Sequence, residues 1–236
     1  MAVITEKKGN IFNSSLQTIV NTVNCVGVMG KGIALEYKLR YPEMFVSYFK
    51  ICEKMLLKPG LLHLWSKSTP WILNFPTKQN WKSPSKMNYI EAGLEKFSEI
   101  YLEKSISSIA FPMLGASSGG LDQDAVLELM YKYLSPLKKL EIEIYFFDPF
   151  AEDNLFSDLY QKIYRFTVED YVQYLGLRPN EAKNIINALE TNSIHSMIAL
   201  QNINGVGEKT IEKIYNYLNN DFQRIKSPEA KQLSLL

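Results

Sequence analysis

Two glycine-rich segments each follow an apolar run and precede a helical pattern. Residues 21–34 read NTVNCVGVMGKGIA, and residues 114–122 read LGASSGGLD. Glycine allows backbone N–H groups to come close to a ligand, and a helix N-terminus adds positive potential. Each segment therefore suits an anionic group, and the pair predicts a ligand with two phosphates. Asn24 offers a carboxamide that can bind ribose hydroxyls, whereas Asn21 is expected to hold the loop together.

The two common nucleotide-binding motifs do not occur in the chain. There is no Gly-x-Gly-x-x-Gly pattern, and Lys31 is followed by Gly32 rather than by the Ser or Thr with which a P-loop binds Mg²⁺. The glycine-rich segments therefore do not indicate an NTPase.

The order of several short motifs resembles that of the macrodomain family, whose fold binds ADP-ribose. The likeness extends over residues 8–150 and points to one branch, the DarG-type antitoxins that remove ADP-ribose from DNA, with terminal ADP-ribose protein glycohydrolase as a related member. The matching motifs are Gly9-Asn10-Ile11-Phe12, Asn21-Thr22-Val23-Asn24, Val28-Met29-Gly30-Lys31-Gly32-Ile33-Ala34, Asn74-Phe75-Pro76-Thr77-Lys78 and Gly119-Gly120-Leu121-Asp122.

This resemblance implies a set of ADP-ribose-binding residues. Amides of the first segment would bind one phosphate, and amides of the second segment would bind the other. The implied residues are Asn10, Ile11, Asn21, Asn24, Gly30, Lys31, Gly32, Ile33, Ala34, Thr77, Leu114, Gly115, Ala116, Ser117, Ser118, Gly119, Gly120 and Leu121.

Lys78 follows a predicted strand and is the principal candidate for catalysis. In the related glycohydrolase branch the lysine of this motif acts on C1″ of the distal ribose, and the resemblance assigns that role to Lys78. A neutral amine could attack this carbon, whereas an ammonium group could stabilise the departing base, and the sequence leaves both mechanisms open. Asp122 resembles the aspartate that assists as acid or base in that branch. It is also placed to cap the helix that begins at Gln123.

Asn10 departs from the family pattern. Many macrodomains have Asp at this position, where it accepts a hydrogen bond from the amino group of adenine. Asparagine can accept that bond only through its carbonyl oxygen, so the resemblance leaves adenine recognition less certain at this position.

A basic, aromatic segment lies just beyond Lys78, at residues 81–89. Bases stack on aromatic rings and phosphates pair with lysines, so Trp81 and Lys82 are predicted to contact single-stranded DNA beside the modified nucleotide. The alternative is that Trp81 anchors a loop in the core.

Short β-rich runs alternate with helical patterns in the first part of the chain, which predicts an α/β fold with a mixed central sheet flanked by helices. In such sheets ligands bind at the carboxyl ends of the strands, where both glycine-rich segments fall. This macrodomain is assigned to residues 1–150. The predicted strands are 2–5, 18–20, 61–64, 71–74, 108–113 and 142–147, and the predicted helices are 33–40, 42–54, 87–102 and 123–134.

Residues 167–219 show no strand alternation, so residues 151–222 are predicted to form a small all-α domain. Within it, residues 203–210 read INGVGEKT between two helical patterns, which resembles a helix-hairpin-helix. In that motif a Gly-x-Gly turn lets backbone N–H groups approach a DNA phosphate. The predicted DNA contacts are Gly205, Gly207, Lys209 and Thr210. The alternative is a turn that only joins two packed helices.

Residues 223–236 are predicted to be a flexible tail. Its last five residues, from Gln232 to Leu236, read QLSLL and resemble the short peptide that bacterial replication and repair proteins insert into the sliding clamp. Such a peptide becomes ordered only on binding. The alternative is a frayed terminus with a chance match.

Bulk composition limits the protein class. The 236 residues are 46% hydrophobic and 22% charged, which is sufficient for a substantial core. The net charge of +1 is far from the strongly basic composition of proteins that bind DNA mainly through phosphate neutralisation, so any DNA contact is expected to be local. Neither the first ten residues nor any apolar run predicts secretion or membrane insertion.

Cys25 and Cys52 are the only cysteines, and neither lies in a Cys-x-x-Cys or Cys/His cluster. A disulfide framework and a zinc site are therefore not expected, and the reducing cytoplasm is the predicted compartment. His63 and His195 have no partners at catalytic spacing and are interpreted as structural. The predicted reaction uses no metal and no cofactor.

These features predict a DNA ADP-ribosyl glycohydrolase that removes ADP-ribose from a nucleobase, thymine in single-stranded DNA, with the helical domain bringing it to chromosomal DNA. A DNA ADP-ribosyltransferase toxin is the implied source of the modification, although the hairpin and the clamp-like tail fit a free-standing repair enzyme better than a dedicated antitoxin. Two alternatives remain: a hydrolase of glutamate-linked ADP-ribosyl protein, and a reader that binds ADP-ribose without turnover.

Overall fold

The computed structural model describes residues 1–116 and 119–226, with side chains through Asn219. Ser117, Ser118 and the predicted clamp-binding peptide at residues 232–236 lie outside the described residues. The chain divides into two compact units, one from Met1 to Glu152 and one that begins at Asp153.

The first unit contains a mixed sheet with the strand order β1-β6-β5-β2-β4-β3. All neighbouring pairs are parallel except β3 and β4, so the carboxyl ends of the parallel strands meet at one edge. The strands are β1 (Val3–Gly9), β2 (Thr18–Val23), β3 (His63–Trp65), β4 (Trp71–Pro76), β5 (Ser108–Pro112) and β6 (Glu141–Phe147).

Helices cover both faces of this sheet. Successive residues of a strand point to opposite faces, so Val20 and Leu73 join one hydrophobic cluster and Ile19 and Ile72 join another. The helices are α1 (Gly32–Arg40), α2 (Pro42–Glu53), α3 (Met87–Ile100) and α4 (Gln123–Leu134). Residues of α3 and α4 belong to the first cluster, and residues of α1 and α2 belong to the second. The predicted α/β fold with a mixed sheet between helices is confirmed.

Three strands are longer than the sequence predicts by two residues or more. β2 and β4 continue through Asn21 and Asn74, which lie opposite each other in the register and whose side chains are hydrogen-bonded at 2.8 Å. Because Asn21 Nδ2 donates to Asn74 Oδ1 across the two strands, these buried polar residues are accommodated inside the sheet and do not end the strands. β1 likewise continues through charged residues to Gly9, beside β6.

The second unit is helical. Its elements are α5 (Asn154–Ile163), α6 (Val168–Leu175), α7 (Pro179–Glu190), α8 (Met197–Leu200) and α9 (Glu208–Lys226). Thr167 and Asp170 form a capping box at the start of α6, and Gly176 ends that helix with φ +66°. The Asp153 carboxylate caps α5 and also accepts a hydrogen bond from the Met197 N–H at 3.0 Å, which ties the start of α5 to the start of α8.

Candidate active site

Three neighbouring strand ends bring the predicted catalytic and phosphate-binding segments together. β2 lies between β5 and β4 and is parallel to both. The first glycine-rich segment follows β2, Lys78 follows β4, and the second glycine-rich segment follows β5. The fold therefore places these segments, which are distant in sequence, at one edge of the sheet.

The Asn24 carboxamide holds the start of the first segment. Its Oδ1 accepts hydrogen bonds from the backbone N–H groups of Val26 at 3.0 Å and Val28 at 3.3 Å, and its Nδ2 donates to the Val28 carbonyl at 2.6 Å. The Tyr48 hydroxyl donates to the Asn24 carbonyl at 2.8 Å. The structure thus engages this side chain in the loop, in contrast to the expected contact with ribose hydroxyls.

Asn21 begins a buried chain of polar side chains. Its Nδ2 donates to Asn74 Oδ1, Asn74 Nδ2 lies 3.0 Å from His63 Nδ1, and His63 Nε2 lies 3.1 Å from Ser47 Oγ. An amide nitrogen can only donate, so His63 Nδ1 accepts and its Nε2–H donates to Ser47. Burial lowers the pKa of His63, which favours the neutral ring that this chain requires. Sequence reasoning missed the partners of His63 because they come from different elements.

The remainder of the first segment enters α1. Gly32 has φ +62°, a conformation that L side chains rarely adopt, and Lys31 occupies the N-cap position without a side-chain capping bond. Gly30, Ile33 and Ala34 are partly exposed beside this turn. The segment thus presents the beginning of a helix at the edge where the strands end.

Backbone contacts and close approach hold the second segment. Leu121 N–H donates to the Gly115 carbonyl at 3.1 Å, and Ser85 N–H donates to the Gly119 carbonyl at 3.1 Å. A Cβ at Gly119 would lie 2.2 Å from the Gly115 oxygen and 2.3 Å from Ser85 Oγ, so only glycine fits. Leu114 is fully buried beneath the loop. Of the remaining predicted residues in this segment, Ala116 and Gly120 are described and are accessible to solvent.

Ser85 is a residue of this site that sequence reasoning missed. It is 5% exposed, and its hydroxyl has no hydrogen-bond partner within residues 1–116 and 119–226. Its position seven residues beyond Lys78 was the available signal, but a serine in a basic segment gives no indication of contact with a loop after β5. Only the sheet order brings the two segments together.

Lys78 lies beside the first glycine-rich segment. The Thr77 N–H donates to the Val23 carbonyl at 2.9 Å, and the Cys25 N–H donates to the Gln79 carbonyl at 3.2 Å. The Cys25 thiol lies 3.4 Å from the Lys78 carbonyl. These bonds fix the backbone around Lys78 against residues 23–25.

Asp122 is an exposed residue at the N-cap of α4. One of its carboxylate oxygens accepts a hydrogen bond from the Ala125 N–H at 2.9 Å. Asp122 therefore caps α4, as the sequence allowed, with one of its two carboxylate oxygens.

Asn10 lies at the far end of the same edge, directly after β1. It caps the short 3-10 helix Ile11–Asn13, since its Oδ1 accepts a hydrogen bond from the Phe12 N–H at 3.1 Å. Asn10 is 4% exposed, and its Nδ2 has no hydrogen-bond partner among the described residues. Ile11 is also buried, whereas Phe147, at the end of the adjacent strand β6, is exposed.

The segment beyond Lys78 is basic and accessible. Trp81 is 52% exposed, so the alternative of a tryptophan that anchors the core is wrong. The Lys82 ammonium lies 5.2 Å from the Trp81 ring centroid, and the Lys86 ammonium lies 5.4 Å from that of Tyr89. The arrangement presents rings and positive charges together.

The predicted hairpin of the second unit lies between α8 and α9. Gly205 has φ +78°, and Gly205, Gly207 and Lys209 are exposed. Thr210 differs from the expectation, because it is 3% exposed and its hydroxyl donates to Glu181 Oε1 at 2.9 Å. Its side chain therefore packs inside the unit and is not available for a DNA contact.

This hairpin is preceded by a similar one 29 residues earlier. The turn of residues 176–178 precedes α7 as residues 205–207 precede α9, and both turns begin with a glycine of positive φ. The central residues, Leu177 and Val206, are both buried.

Equivalent positions of the two hairpins contact each other. Glu181 and Thr210, which are 29 residues apart, are hydrogen-bonded. Asn184 Nδ2 donates to the Asn204 carbonyl beside the second turn, and the equivalent Lys213 donates to the Gly176 carbonyl in the first. The second unit is thus built around two similar hairpins with reciprocal contacts, which the sequence analysis did not detect.

Residues 1–116 and 119–226 contain neither a cluster of metal-ligating side chains nor a membrane-spanning helix. Among the described side chains, which end at Asn219, no three of His, Cys, Asp or Glu gather as metal ligands would. Over the same residues, no helix combines the length and the apolar character needed to span a bilayer. Cys25 and Cys52 are both buried free thiols, and burial raises the pKa of Cys25 to about 12.

Comparisons with known proteins agree with this geometry. The family described as Macro domain matches residues 20–130. A Mycobacterium tuberculosis protein named DNA ADP-ribosyl glycohydrolase is 41% identical over 147 residues, which are 61% of this chain and 42% of that protein. The chain thus spans less than half the length of this curated relative.

Solved structures extend the similarity to the fold. The macrodomain of Mycobacterium tuberculosis DarG is 40% identical, with a TM-score of 0.59, and the match covers 61% of this chain and 98% of that one. Thermosipho africanus DarTG, solved in complex with ADP-ribose, is 35% identical with a TM-score of 0.59 over 63% of this chain and 42% of that one.

Proposed function

The chain belongs to the macrodomain family, and from this premise we propose that it is a DNA ADP-ribosyl glycohydrolase. It removes ADP-ribose from a nucleobase by hydrolysing the bond between C1″ of the distal ribose and the base. The similarity to a Mycobacterium tuberculosis protein of that name supports the proposal.

The observation that carries the proposal is the meeting of three strand ends. The first phosphate segment, the second phosphate segment and Lys78 follow the adjacent strands β2, β5 and β4. Asn10 follows β1, four strand positions from β4, or roughly 19 Å at the usual spacing. An extended ADP-ribose fits along this edge with its adenine near Asn10, its pyrophosphate between the two glycine-rich segments and its distal ribose near Lys78.

Lys78 carries the chemistry in this proposal. Hydrolysis breaks the bond from C1″ to the base, transfers a hydroxyl group from water to C1″ and returns a proton to the base. The Lys78 amine either attacks C1″ itself or, as an ammonium group, stabilises the negative charge on the departing base. Asp122 has a second carboxylate oxygen besides the one that caps α4, and that oxygen is the proposed acid or base.

Single-stranded DNA is the proposed acceptor, with thymine as the modified base. Trp81 offers an exposed ring on which a flanking base can stack, and the adjacent Lys82 can pair with a phosphate. The segment from residue 77 to residue 90 contains three lysines, Lys78, Lys82 and Lys86, and no acidic residue. Both features favour an unpaired strand whose bases are accessible.

The second unit is proposed to bring the enzyme to DNA. The exposed turn at Gly205 and Gly207 lets a phosphate approach the backbone, and Lys209 adds a positive charge beside it. Neither the φ of Gly207 nor any neighbour among the described residues requires glycine there, and the close approach of a DNA phosphate would account for it. Residues 151–222 are thus the proposed DNA-binding domain. The predicted tail of residues 223–236 begins inside α9, because that helix continues to Lys226.

Partners follow from the substrate. An enzyme that attaches ADP-ribose to DNA must supply it, so a DNA ADP-ribosyltransferase is the proposed counterpart, in the role of a toxin or of a source of damage that is repaired. The sliding clamp stays a second proposed partner, through residues 232–236. The two buried thiols fit a reducing compartment, and we propose the cytoplasm.

A substrate panel tests the function. The full chain is incubated with a single-stranded oligonucleotide that carries ADP-ribose on thymine, with the same oligonucleotide annealed to its complement, and with protein that carries ADP-ribose on glutamate. We expect release of ADP-ribose from the single strand at a rate at least tenfold above either of the other two.

Each other outcome points to a different function. Release only from the protein would replace the proposal with the ester hydrolase. Tight binding of ADP-ribose without release from any substrate would indicate a reader. Equal rates on the single strand and the duplex would remove the role assigned to Trp81 while leaving the glycohydrolase in place.

A further inference from the structure

Three exposed apolar side chains surround the start of the first glycine-rich segment. Val26 is 41% exposed and Val28 is 37% exposed, whereas Gly27 between them is buried. Phe49 of α2 is 41% exposed and lies against Gly27, since a Cβ on that glycine would be 3.0 Å from the ring. Val26, Val28 and Phe49 are called the apolar patch. Apolar side chains that are exposed together, beside a candidate active site, indicate contact with a ligand.

The backbone around the two valines already has its hydrogen bonds. The N–H groups of Val26 and Val28 both donate to Asn24 Oδ1, and the Val28 carbonyl accepts from Asn24 Nδ2. These polar groups are directed into the loop, while the valine side chains are exposed to solvent. The apolar patch therefore presents methyl groups and a ring to a ligand, and it suits an apolar group better than a polar one.

The apolar patch lies beside Lys78. The Cys25 N–H donates to the Gln79 carbonyl at 3.2 Å, and the Cys25 thiol lies 3.4 Å from the Lys78 carbonyl. Val26 directly follows Cys25, so its Cα is at most roughly 12 Å from that of Lys78. The lysine side chain and a nucleobase linked to the distal ribose can span this distance. The base that leaves from C1″ therefore comes within reach of the patch.

The chemistry of the four standard DNA bases decides which of them fits such a surface. Thymine alone carries an apolar substituent, its 5-methyl group, whereas the corresponding edges of the other bases present hydrogen-bond donors and acceptors. A surface of methyl groups cannot replace the water bound to an amino group or a ring nitrogen, but covering a methyl group is favourable.

We propose that Val26 and Val28, backed by Phe49, receive the 5-methyl group of the thymine that carries ADP-ribose, and that this contact makes the enzyme prefer thymine to uracil. The inference rests on the proposed function, because it takes ADP-ribose linked to a base as the substrate. It assigns the choice of the modified base to the first glycine-rich segment, whereas Trp81 is assigned to a flanking base.

Two substrates that differ in one methyl group test the proposal on the full, unaltered chain. One is a single-stranded oligonucleotide that carries ADP-ribose on thymine. The other is the same oligonucleotide with ADP-ribose on uracil, linked through the same ring nitrogen. We expect kcat/KM for release of ADP-ribose to be about fourfold higher for the thymine substrate, as burial of one methyl group predicts.

The variant that combines Val26→Thr and Val28→Thr isolates the contact. Threonine keeps the branched shape of valine but replaces a methyl group with a hydroxyl, and covering that hydroxyl removes its water. We expect the ratio of kcat/KM for thymine to that for uracil to fall to near one. Val3→Thr is the control, because this exposed valine lies where β1 begins, at the opposite edge of the sheet. It should keep the fourfold ratio.

The methyl group changes the intrinsic reactivity of the base by the same factor for all three proteins, so the difference between their ratios is the readout. Four results would overturn the inference: equal release from both substrates by the unaltered chain, a preference for uracil, a double threonine variant that keeps the preference for thymine, or a Val3→Thr variant that also loses it. Release from neither substrate would instead refute the proposed function, and this inference with it.

Discussion

The two glycine-rich segments of the first unit are held in place by opposite means. The first depends on a side chain, because the Asn24 carboxamide makes bonds to the backbone of both Val26 and Val28. The second depends on the absence of side chains, because Gly119 approaches the Gly115 carbonyl too closely for a Cβ. Similar sequence patterns at equivalent strand ends thus have different structural requirements, and substitutions should distinguish them.

The largest effect on the binding of ADP-ribose is expected for Gly119→Ala. The added Cβ would lie 2.2 Å from the Gly115 oxygen, so the loop backbone must move, and overpacking of this kind predicts about 100-fold weaker binding of ADP-ribose. Calorimetry measures this. Gly32→Ala in the first segment is the matched control: its φ of +62° strains an alanine, but no atom of the described residues lies within 4 Å of the added Cβ, so a loss of about fivefold is expected. A larger loss of affinity for Gly32→Ala than for Gly119→Ala would contradict the proposed difference between the two segments.

An intermediate effect is expected for Asn24→Ala. The substitution leaves the Val26 and Val28 N–H groups without their acceptor, and we expect about tenfold weaker binding of ADP-ribose together with faster hydrogen exchange at these two amides. Asn88→Ala, at an exposed position of α3, is the control. Weaker binding with unchanged exchange would show that Asn24 contacts the sugar directly, as the sequence first suggested.

The smallest effect is the pH dependence of stability that arises from His63, which is part of the buried hydrogen-bonded chain from Asn21 to Ser47. Burial lowers the pKa of His63 below its usual 6.5, so the unfolded state binds a proton at a higher pH than the folded state does. The contribution of neutral His63 to the free energy of unfolding is therefore fully present above about pH 6.5. It is lost as the pH falls below this value, by up to about 1.4 kcal/mol per pH unit.

Urea unfolding at about pH 7.5 and about pH 5.5 measures this dependence in the unaltered chain and in His63→Gln, which removes the titrating group. The variant should lose less stability over this interval. Equal losses in both proteins would show that His63 has no part in the acid sensitivity.

The sequence predicted the sheet, the helices of the first unit and the meeting of the glycine-rich segments at the strand ends. It placed the end of β2 before Asn21 and the end of β4 at Asn74, each earlier than observed, because a polar asparagine considered alone is typical of a strand end. The bond between them depends on the register of two strands that are distant in sequence. Local patterns do not contain that information.

The individual roles of the site residues were harder to predict than their positions. Asn24 was expected to bind the ligand, and the structure shows that its side chain also supports the loop. Thr210 was expected at the DNA surface and instead bonds to Glu181. In both cases residue type suited either role, and the choice depends on neighbours supplied by the fold. Ser85 was missed for the same reason.

Lys78 provides the most direct test of the account, because binding is assigned to the glycine-rich segments and bond cleavage to this amine. Lys78→Ala should bind ADP-ribose within about threefold of the unaltered chain and release it from modified single-stranded DNA about 1000-fold more slowly. Lys67→Ala, in the exposed turn before β4, should match the unaltered chain in both measurements. Normal release by Lys78→Ala, with ADP-ribose still bound, would contradict the central claim that this lysine acts on the distal ribose.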